Sequence, residues 1–358
     1  MNQPLLFEPL RLRELTVRNR AWVPPMCQYS VDAQDGVPNA WHSVHYGSFA
    51  IGGFGLIIAE ATGVSPEGRI SPFDTGLWND EQVQAWAPIV DFAHAQGAAM
   101  SVQLGHAGRK ASTNRWWPGH PDRVLPPEEG GWRPVGPVDE AAADALTEPE
   151  IEAVIEAFAQ AARRADAAGF DAVEIHAAHG YLLHQFYSPL SNTRTDAWGG
   201  DHAGRTRLVR RVAEAVRASF PQNKPVLIRL SATDWVEGGW TIEDSVRLCS
   251  DLRELGVDLV DVSSGGVAPA RIPAGPGYQV DFAQRIRVAT GLPTAAVGLI
   301  TDPTHAEAII ANGRADAVLL GRAAMREPNW PLRAAHALGV RPEDAPYAPA
   351  RWRSHYGS

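Results

Sequence analysis

The sequence predicts an α/β fold, a (β/α)8 or TIM barrel in a single domain, and three observations support it. Eight short, almost wholly apolar runs recur along the 358 residues, as expected of parallel strands covered on both faces. Most runs are followed by an amphipathic helical stretch, and eight such alternations favour a barrel over an open sheet. Four helices end in glycine before the next strand, in the phrases AHAQGAAMSVQ, ADAAGFDAVEIH, LRELGVDLVDVS and IANGRADAVLLG.

The predicted strands follow the apolar runs in chain order: Ala21–Cys27, Leu56–Glu60, Ala99–Gly105, Ala172–His176, Val226–Leu230, Leu259–Ser263, Thr294–Gly298 and Ala317–Gly321. Two of the helices between them have recognisable ends. The helix predicted over 147–168 opens with Thr147, and Glu150 follows three residues later, as in a capping box. The helix predicted over 241–255 begins at a capping threonine and stops at Gly256.

Two segments break the alternation within the one domain expected over residues 1–358. The first twenty residues are predicted to form a small hairpin that closes the barrel floor. Residues 110–137, rich in Pro, Gly and Trp, are predicted to form a long loop after the third strand, and loops of that length are usually functional. Residues 340–358 are expected to form a C-terminal tail.

Composition narrows the class of protein. Hydrophobic residues at 45% and charged residues at 20% are typical of a globular protein, and a net charge of −9 argues against a nucleic-acid partner. No apolar run approaches the roughly 20 residues that span a bilayer, and charges interrupt the N-terminus where a signal peptide would be apolar. Cys27 and Cys249 fit neither a disulfide framework nor a four-thiolate cluster. We therefore expect a cytoplasmic protein without a membrane partner.

Chemistry in a barrel is concentrated at the carboxyl ends of the strands. The residues predicted to face a ligand there are Pro24, Pro25, Met26, Cys27, Tyr29, Glu60, Ala61, Gln103, His176, His179, Arg229, Gly298, Gly321 and Arg322. The seventh and eighth strands end in AVGLI and LLGRA, and barrels often bind a phosphate at those two loops. The alternative is that these glycines only end strands and Arg322 is a surface charge. The two loops together favour phosphate.

Arg229 and Cys27 each allow two interpretations. An arginine at the end of a buried strand needs an anionic partner, either a structural carboxylate or the negative charge that collects on a reduced flavin. A lone cysteine is usually a small buried hydrophobe, but near a flavin its thiol can tune the redox potential through a hydrogen bond.

The segment from Glu174 to Gly200, EIHAAHGYLLHQFYSPLSNTRTDAWGG, is the most informative. His176 and His179 can act as metal ligands or as imidazole donors to a substrate oxygen. No nearby acidic or thiolate set completes a metal site, which favours donors. Tyr181, with an ordinary pKa near 10, stays protonated and can donate a proton. Its alternative role is that of a rim aromatic with a solvated hydroxyl.

The motifs PPMCQYS, GLIIAEATGV, VQLGHAGRKA, the 174–200 segment, LIRLSATD, PGYQVDFA, AVGLI and GRADAVLLGR occur in the order of a known family. Together they resemble the Old Yellow Enzyme family of flavin-dependent ene-reductases, over about residues 5–330. The pair Cys27 and Tyr29, with His rather than Asn at position 179, is similar to its bacterial NADPH dehydrogenase and xenobiotic reductase branch.

The resemblance implies a set of cofactor contacts. FMN would be bound non-covalently over the barrel mouth by Pro24, Pro25, Met26, Cys27, Ala61, Gln103, Arg229, Gly298, Gly321 and Arg322. NADPH, or alternatively NADH, would reduce it.

The resemblance also implies the substrates and their contacts. They would be electron-poor alkenes (enones, enals, maleimides and nitroalkenes) whose activating oxygen is held by His176 and His179. Tyr29 and Trp352 would line the pocket, and Cys27 would belong to the catalytic set. Tyr181 would protonate the α-carbon after a hydride from flavin N5 reaches the β-carbon. We expect a homodimer or homotetramer.

Two departures from the family stand out. Pro24 replaces the Ser or Ala that relatives often have, so a hydroxyl contact to the flavin is lost. The ending APARWRSHYGS does not cleanly match the relatives' ending, in which an Arg or Trp enters a neighbouring subunit's site. Arg351 or Trp352 either takes that part or belongs to a disordered tail.

Two other functions are weighed against the ene-reductase. A phosphate-binding lyase or aldolase on the same barrel would want a Schiff-base lysine, and none of the eight runs ends in one. A non-catalytic flavin-binding protein is the third hypothesis.

Overall fold

The N-terminal hairpin is present in the computed structural model, which describes residues 3–356. Strands β1 (Leu10–Leu12) and β2 (Leu15–Val17) pair antiparallel. Leu12 and Val17 pack in one buried cluster with residues of the barrel strands, so the hairpin covers the barrel floor. The prediction for this segment also covers residues 1–2, and that for the tail covers 357–358. Those four residues lie outside the described part of the chain.

Eight parallel strands form a closed barrel, which confirms the predicted fold class. They are β3 (Ala21–Trp22), β4 (Leu56–Gly63), β5 (Ala99–Gly105), β8 (Ala172–Ala177), β9 (Val226–Ser231), β10 (Leu259–Ser263), β11 (Thr294–Val297) and β12 (Ala317–Leu319). Their order in the sheet is β3-β12-β11-β10-β9-β8-β5-β4, and a bridge between Val23 and Ile57 joins the two ends.

The helices surround the barrel. They are α1 (Ala40–Ile51), α2 (Asp80–Ala95), α3 (Glu148–Ala167), α4 (Leu182–Tyr187), α5 (His202–Ser219), α6 (Ile242–Glu254), α7 (Val280–Thr290), α8 (Pro303–Ala311), α9 (Gly321–Arg326) and α10 (Trp330–Ala337). Short 3-10 helices lie at Leu5–Phe7, Pro66–Gly68, Gly108–Lys110, Pro127–Glu129, Pro342–Asp344 and Pro349–Ser354. No helix within residues 3–356 is long and apolar enough to cross a membrane.

The predicted helix ends are confirmed. The Thr147 backbone N–H donates to the Glu150 carboxylate over 2.8 Å, which closes the capping box of α3. Thr241 caps α6 through the Asp244 N–H. The glycine in each of the four repeated helix-to-strand phrases, Gly97, Gly169, Gly256 and Gly313, has a positive φ. That backbone conformation explains the choice of glycine at all four positions.

Three strands end earlier than predicted, and β11 does so by one residue, at Val297 rather than at Gly298. β3 stops at Trp22 rather than at Cys27, because Pro24 and Pro25 have no amide hydrogen to donate to a neighbouring strand. Residues 24–27 therefore cross the barrel mouth as irregular chain. β12 stops at Leu319 rather than at Gly321, which instead begins α9.

The loop after the third barrel strand is present and extends past residue 137. It contains the short pair β6 (Val135–Gly136) and β7 (Asp144–Ala145) before α3 begins. The Trp117 indole N–H donates to the Gln28 carbonyl over 3.2 Å, so the loop packs on the segment that leaves β3. The loop therefore covers one side of the barrel mouth.

The barrel interior is layered. Its floor is a buried apolar cluster that includes Trp22, Ile58, Leu227, Leu259 and Leu319. Above the floor, four consecutive strands contribute polar residues that are almost completely buried: Gln103, Glu174, Arg229 and Asp261. Apolar residues thus fill the lower barrel, and polar chemistry begins directly below the mouth.

Candidate active site

A cavity of about 260 Å³ opens at the carboxyl ends of β9 to β12. Four of the predicted cofactor residues line it: Arg229, Gly298, Gly321 and Arg322. Pro24 and Met26 lie beside Gly321, because a Cβ at that glycine would be 3.6 Å from Pro24 and 3.7 Å from Met26. Pro25 lies between these two residues in the same segment. Residues distant in sequence therefore meet at one cavity.

A second, smaller hollow lies on the other side of the mouth. Ala61, His176 and Tyr181 line it. Tyr29 and Ala61 form a buried apolar cluster there, against which Cys27 and Tyr181 pack. The structure thus brings four of the predicted catalytic and substrate residues together: Cys27, Tyr29, His176 and Tyr181. Trp352 lies elsewhere.

Three residues at the mouth adopt left-handed backbone without being glycine. They are Tyr29, His179 and Leu299, with φ of 54°, 58° and 52°. Leu299 follows Gly298, whose own φ is +128° and where a Cβ would lie 2.9 Å from the Tyr278 ring. Strained backbone of this kind persists where the surroundings fix it, and it is concentrated at functional sites.

His176 lines the smaller hollow. Its Nδ1 accepts a 3.3 Å hydrogen bond from the Ala178 N–H, so a neutral ring has its proton on Nε2. Burial, and then the nearby Arg229 guanidinium, holds the pKa of His176 well below its ordinary value. The ring is therefore a neutral N–H donor, as an oxygen clamp requires.

His179 is held more tightly than the sequence suggests. Its Nε2 lies 2.7 Å from the Ser263 hydroxyl, and its backbone N–H donates to Ser231 Oγ over 2.9 Å. Burial and Arg229 lower the pKa of His179 well below the ordinary value. The two imidazole centroids are 5.4 Å apart and nearly perpendicular. Of the pair, His179 is the one whose Nε2 is already engaged by a protein partner, while His176 is engaged through Nδ1.

Tyr181 lies edge-to-face with His176, with ring centroids 4.9 Å apart. Burial, and then Cys27 and Asp74, raises the pKa of Tyr181 well above its ordinary value, so the phenol keeps its proton. The Lys110 ammonium lies 4.9 Å from the centre of the Tyr181 ring and donates to the His179 carbonyl over 2.8 Å. Lys110 thus links the long loop to the segment that contains His179 and Tyr181.

A buried hydrogen-bonded chain fixes the turn that presents Tyr181. The Gly180 N–H donates to His184 Nδ1 over 2.9 Å, and His184 Nε2 lies 2.8 Å from an Asp234 oxygen. Asp234 in turn accepts from Ser188 and from the Trp240 N–H. Every member is buried, so the chain sets one backbone path for the turn.

Glu60 corrects a prediction. The sequence places it at the mouth beside Ala61, but the register between β4 and β5 shifts between Ala59 and Ala61. This bulge turns Glu60 to the outside, where it accepts from the Tyr46 hydroxyl and the Gln28 N–H, both over 2.9 Å. Ala61 pairs with Gln103 and faces the mouth. Glu60 therefore supports the mouth from behind.

Cys27 is held as a thiol. Burial, and then the carboxyls of Asp74 and Glu60, raises the pKa of Cys27 well above its ordinary value. A half-buried thiol whose pKa is raised in this way is a hydrogen-bond donor rather than a nucleophile.

Trp352 lies away from both hollows in this chain. It is in the 3-10 helix Pro349–Ser354, stacks on His355 at 4.9 Å and is 43% exposed. The neighbouring Arg351 contacts the Asn329 side chain at 3.4 Å. A role for either residue in a partner subunit's site stays a prediction.

Several site residues escape sequence reasoning. Ser263, Tyr278 and Gln279 line the larger cavity, while Glu174 and Asp261 lie beneath it. A signal exists for the last two, because each is a charged residue inside an otherwise apolar strand. Glu174 is also two positions before His176 and therefore on the same face of its strand. Within residues 3–356, no group of three potential ligands is arranged to hold a metal ion.

Comparison with known proteins agrees with this geometry. Residues 5–340 match the NADH:flavin oxidoreductase / NADH oxidase family. An NADPH dehydrogenase of Geobacillus thermodenitrificans (strain NG80-2) is 45% identical over 349 residues, which cover 98% of this chain and 99% of that protein.

Solved structures give the same result. An Old Yellow Enzyme homologue of Zymomonas mobilis superposes with a TM-score of 0.78 at 28% identity, covering 97% of this chain and 99% of that one. A 2-naphthoyl-CoA reductase superposes with a TM-score of 0.83 at 25% identity, covering 96% of this chain and 53% of that longer one. The chain belongs to the NADH:flavin oxidoreductase / NADH oxidase family and is an FMN-dependent NADPH oxidoreductase of the Old Yellow Enzyme type.

Proposed function

We propose that this oxidoreductase reduces the C=C bond of electron-poor alkenes: enones, enals, maleimides and nitroalkenes. One observation supports this most strongly. A neutral imidazole donor, His176, and a protonated phenol, Tyr181, line the smaller hollow with their ring centroids 4.9 Å apart. Alkene reduction needs a donor to the activating oxygen and an acid for the carbon, and this pair supplies both.

The donor set at the mouth fits a flavin mononucleotide. Arg229 lines the cavity, and its guanidinium is paired with Asp261 only through Nε, at 3.0 Å, among the described residues. Gly298 and Gly321 expose bare backbone, and Arg322 adds a cation at the rim, which suits a phosphate. We assign Gln103 and Arg229 to the pyrimidine edge of the ring, and Pro24 to Cys27 with Ala61 to its remaining contacts. Bound FMN supplies a hydride that it has received from NADPH, or less favourably from NADH.

The substrate's activating oxygen is held by the imidazoles. His176 donates from Nε2, because its Nδ1 already accepts from the Ala178 N–H. His179 can donate to the same oxygen from Nε2 only when the 2.7 Å contact of that atom with Ser263 is exchanged for one with the substrate. One such donor is typically worth about 2.7–4 kcal/mol of transition-state stabilisation. Neither histidine needs to ionise, and burial keeps both neutral.

The proton that completes the reaction comes from the Tyr181 hydroxyl and goes to the substrate α-carbon. The raised pKa keeps that proton in place until an enolate-like carbon basic enough to take it forms beside the ring. Tyr29 lines the same pocket from the opposite segment, and Cys27 contacts the cofactor as a thiol.

The test is an anaerobic two-step titration of the purified protein. A protein that is yellow with bound FMN, is bleached by NADPH and is then reoxidised by 2-cyclohexenone supports the proposal. Bleaching without reoxidation by any electron-poor alkene identifies a flavin reductase that uses another acceptor. A protein that binds FMN but is not bleached is a non-catalytic flavin-binding protein. A protein that does not bind FMN contradicts the proposal and favours the lyase or aldolase hypothesis.

A further inference from the structure

Two buried carboxyl groups lie directly beneath the mouth cavity. In the strand register, Gln103 on β5 is opposite Glu174 on β8, and Arg229 on β9 is opposite Asp261 on β10. All four side chains are almost fully buried above the apolar floor. We call these four residues the polar layer.

The contacts of the polar layer are incomplete. Gln103 Nε2 donates to Glu174 Oε1 over 2.7 Å, and Arg229 Nε lies 3.0 Å from Asp261 Oδ2. Glu174 Oε2 and both Asp261 oxygens have no hydrogen-bond partner with acceptable geometry among residues 3–356. The layer thus sets two carboxyl groups against one guanidinium. A second, unpaired carboxylate in such a place is strongly unfavourable, because burial removes its hydration.

The expected response to that cost is protonation of one carboxyl group. Burial raises the pKa of Glu174 well above its ordinary value, and the neighbouring Asp261 raises it further. Burial also raises the pKa of Asp261, to about 6, while Arg229 opposes that rise. Glu174 is therefore the group that holds the proton. With Arg229 cationic and Asp261 anionic, the layer is then electrically neutral.

The two carboxyl groups control the two side chains that we assign to the pyrimidine edge. Glu174 accepts from the Gln103 amide nitrogen, which fixes the orientation of that amide. Asp261 fixes the Arg229 guanidinium from the side away from the cavity. Neither acid lines the cavity itself. Their influence on the cofactor must pass through Gln103 and Arg229 and through the charge of the layer.

We propose that protonated Glu174 and ionised Asp261 are positioning residues that orient Gln103 and Arg229 and set the redox potential of the bound flavin. This rests on the FMN placement proposed above. Reduction of the flavin adds negative charge at the mouth, so the charge of the layer beneath it shifts the balance between the oxidised and reduced cofactor. Removing the Asp261 charge leaves Arg229 uncompensated and favours the reduced cofactor.

The first experiment measures the midpoint potential of the holoenzyme by dye-linked equilibrium reduction. In Asp261→Asn, which keeps the shape of the side chain, we expect the ratio of reduced to oxidised flavin at a fixed potential to rise at least tenfold. For a two-electron couple this is about 30 mV. Asp251→Asn, which removes the same charge from helix α6, is the matched control and should leave the ratio unchanged. An unchanged potential in Asp261→Asn overturns the inference.

The second experiment separates orientation from packing at Glu174. Glu174→Gln keeps a carbonyl oxygen that accepts from Gln103 and keeps the neutral charge. The affinity for FMN, and the ratio of reduced to oxidised flavin at a fixed potential, should therefore stay within about threefold of the parent enzyme. Glu174→Ala should weaken FMN binding at least tenfold, measured as flavin fluorescence released on dilution of the holoenzyme. Equal losses in both variants contradict the inferred role of Glu174. Should Glu174→Ala not fold, Glu174→Gln and Asp261→Asn still decide the outcome.

The placement of FMN has its own control. Gln103→Ala and Arg229→Ala should each weaken FMN binding and shift its potential. If both leave these quantities unchanged, the proposed placement itself fails. If both change them while Asp261→Asn and Glu174→Ala do not, only the inference about the carboxyl pair fails.

Discussion

His179 Nε2 lies 2.7 Å from the Ser263 hydroxyl, whereas His176 Nδ1 accepts from the Ala178 backbone N–H. The two histidines of the proposed clamp are therefore not equivalent before substrate arrives. His176 Nε2, which carries the ring proton, has no protein partner among residues 3–356, whereas His179 Nε2 must leave Ser263 before it can donate to a ligand. This asymmetry leads to a prediction that sequence alone does not make.

We predict that His176→Ala weakens the binding of phenolic ligands more than His179→Ala does. A hydrogen bond to a charged oxygen is worth about 1.5–3 kcal/mol, so the loss in His176→Ala should be about tenfold or more. The loss in His179→Ala should be smaller, because breaking its bond to Ser263 offsets part of the gain on binding. The measurement is titration of the charge-transfer band of the flavin.

The double variant, with Ala at both histidine positions, should show no charge-transfer band at all. An unaltered band in it would remove both histidines from the oxygen clamp. Equal losses in the two single variants would instead show that the Ser263 contact does not compete with the ligand.

Tyr181→Phe should separate the two halves of the catalytic cycle. Flavin reduction by NADPH should stay near the parent rate, while oxidation by weakly activated enones should slow by about 10²–10⁴, the usual contribution of a positioned acid. Anaerobic stopped-flow absorbance measures each half alone. Tyr347→Phe, a change in the C-terminal segment, is the control. An unchanged oxidative half-reaction in Tyr181→Phe would show that the proton comes from elsewhere.

Gly298→Ala should disturb the cofactor end of the site. Its φ of +128° disfavours any side chain, and a Cβ would lie 2.9 Å from the Tyr278 ring, so the loop must move. We expect FMN affinity to fall by about tenfold or more, which is about 1.4 kcal/mol. Gly275→Ala is the matched control, because a Cβ there meets nothing within 4 Å. Equal FMN affinities in the two variants would count against phosphate binding at this loop.

His106 should make the stability of the protein depend on pH. Burial lowers the pKa of His106 to about 4, while in the unfolded chain it is about 6.5. As the pH falls between these values, the unfolded chain binds the proton first. The contribution of His106 is therefore complete above about pH 6.5 and is lost as the pH falls toward 4, with a slope of up to about 1.4 kcal/mol per pH unit.

The comparison variant for this effect is His106→Gln, which can still accept from the Gly108 N–H. Urea unfolding across that pH range should give a shallower dependence for His106→Gln than for the parent protein. Parallel curves would mean that His106 does not stay neutral in the folded state.

The sequence predicted the barrel because its signals are local. Apolar runs and the glycines at positions 97, 169, 256 and 313 each report on a few neighbouring residues. The early end of β3 also has a local cause, the adjacent residues Pro24 and Pro25, although the predicted strand extended past them to Cys27. What the sequence could not show depends on pairing between distant segments. The bulge that turns Glu60 away from the mouth exists only as a register shift between β4 and β5.

The candidate site divides in the same way. His176, His179 and Tyr181 are close in sequence, and their grouping could be predicted. The approach of Ser263 to His179 and of Lys110 to the Tyr181 ring could not, because each contact joins loops at the ends of different strands. The polar layer was hidden for a further reason. Glu174 and Asp261 are each the single acid in an apolar run that predicts a strand. The run alone does not show which residues on other strands these acids contact.

The placement of the flavin ring between Arg229 and the two imidazoles is tested most directly by a crystal structure of the holoenzyme with a phenolic ligand. We predict that the pyrimidine edge of the ring contacts Gln103 and Arg229, that the phosphate contacts Gly298, Gly321 and Arg322, and that the ligand oxygen lies within hydrogen-bond distance of His176 Nε2. A flavin bound away from Arg229, or a ligand oxygen bound away from both histidines, would contradict the proposal.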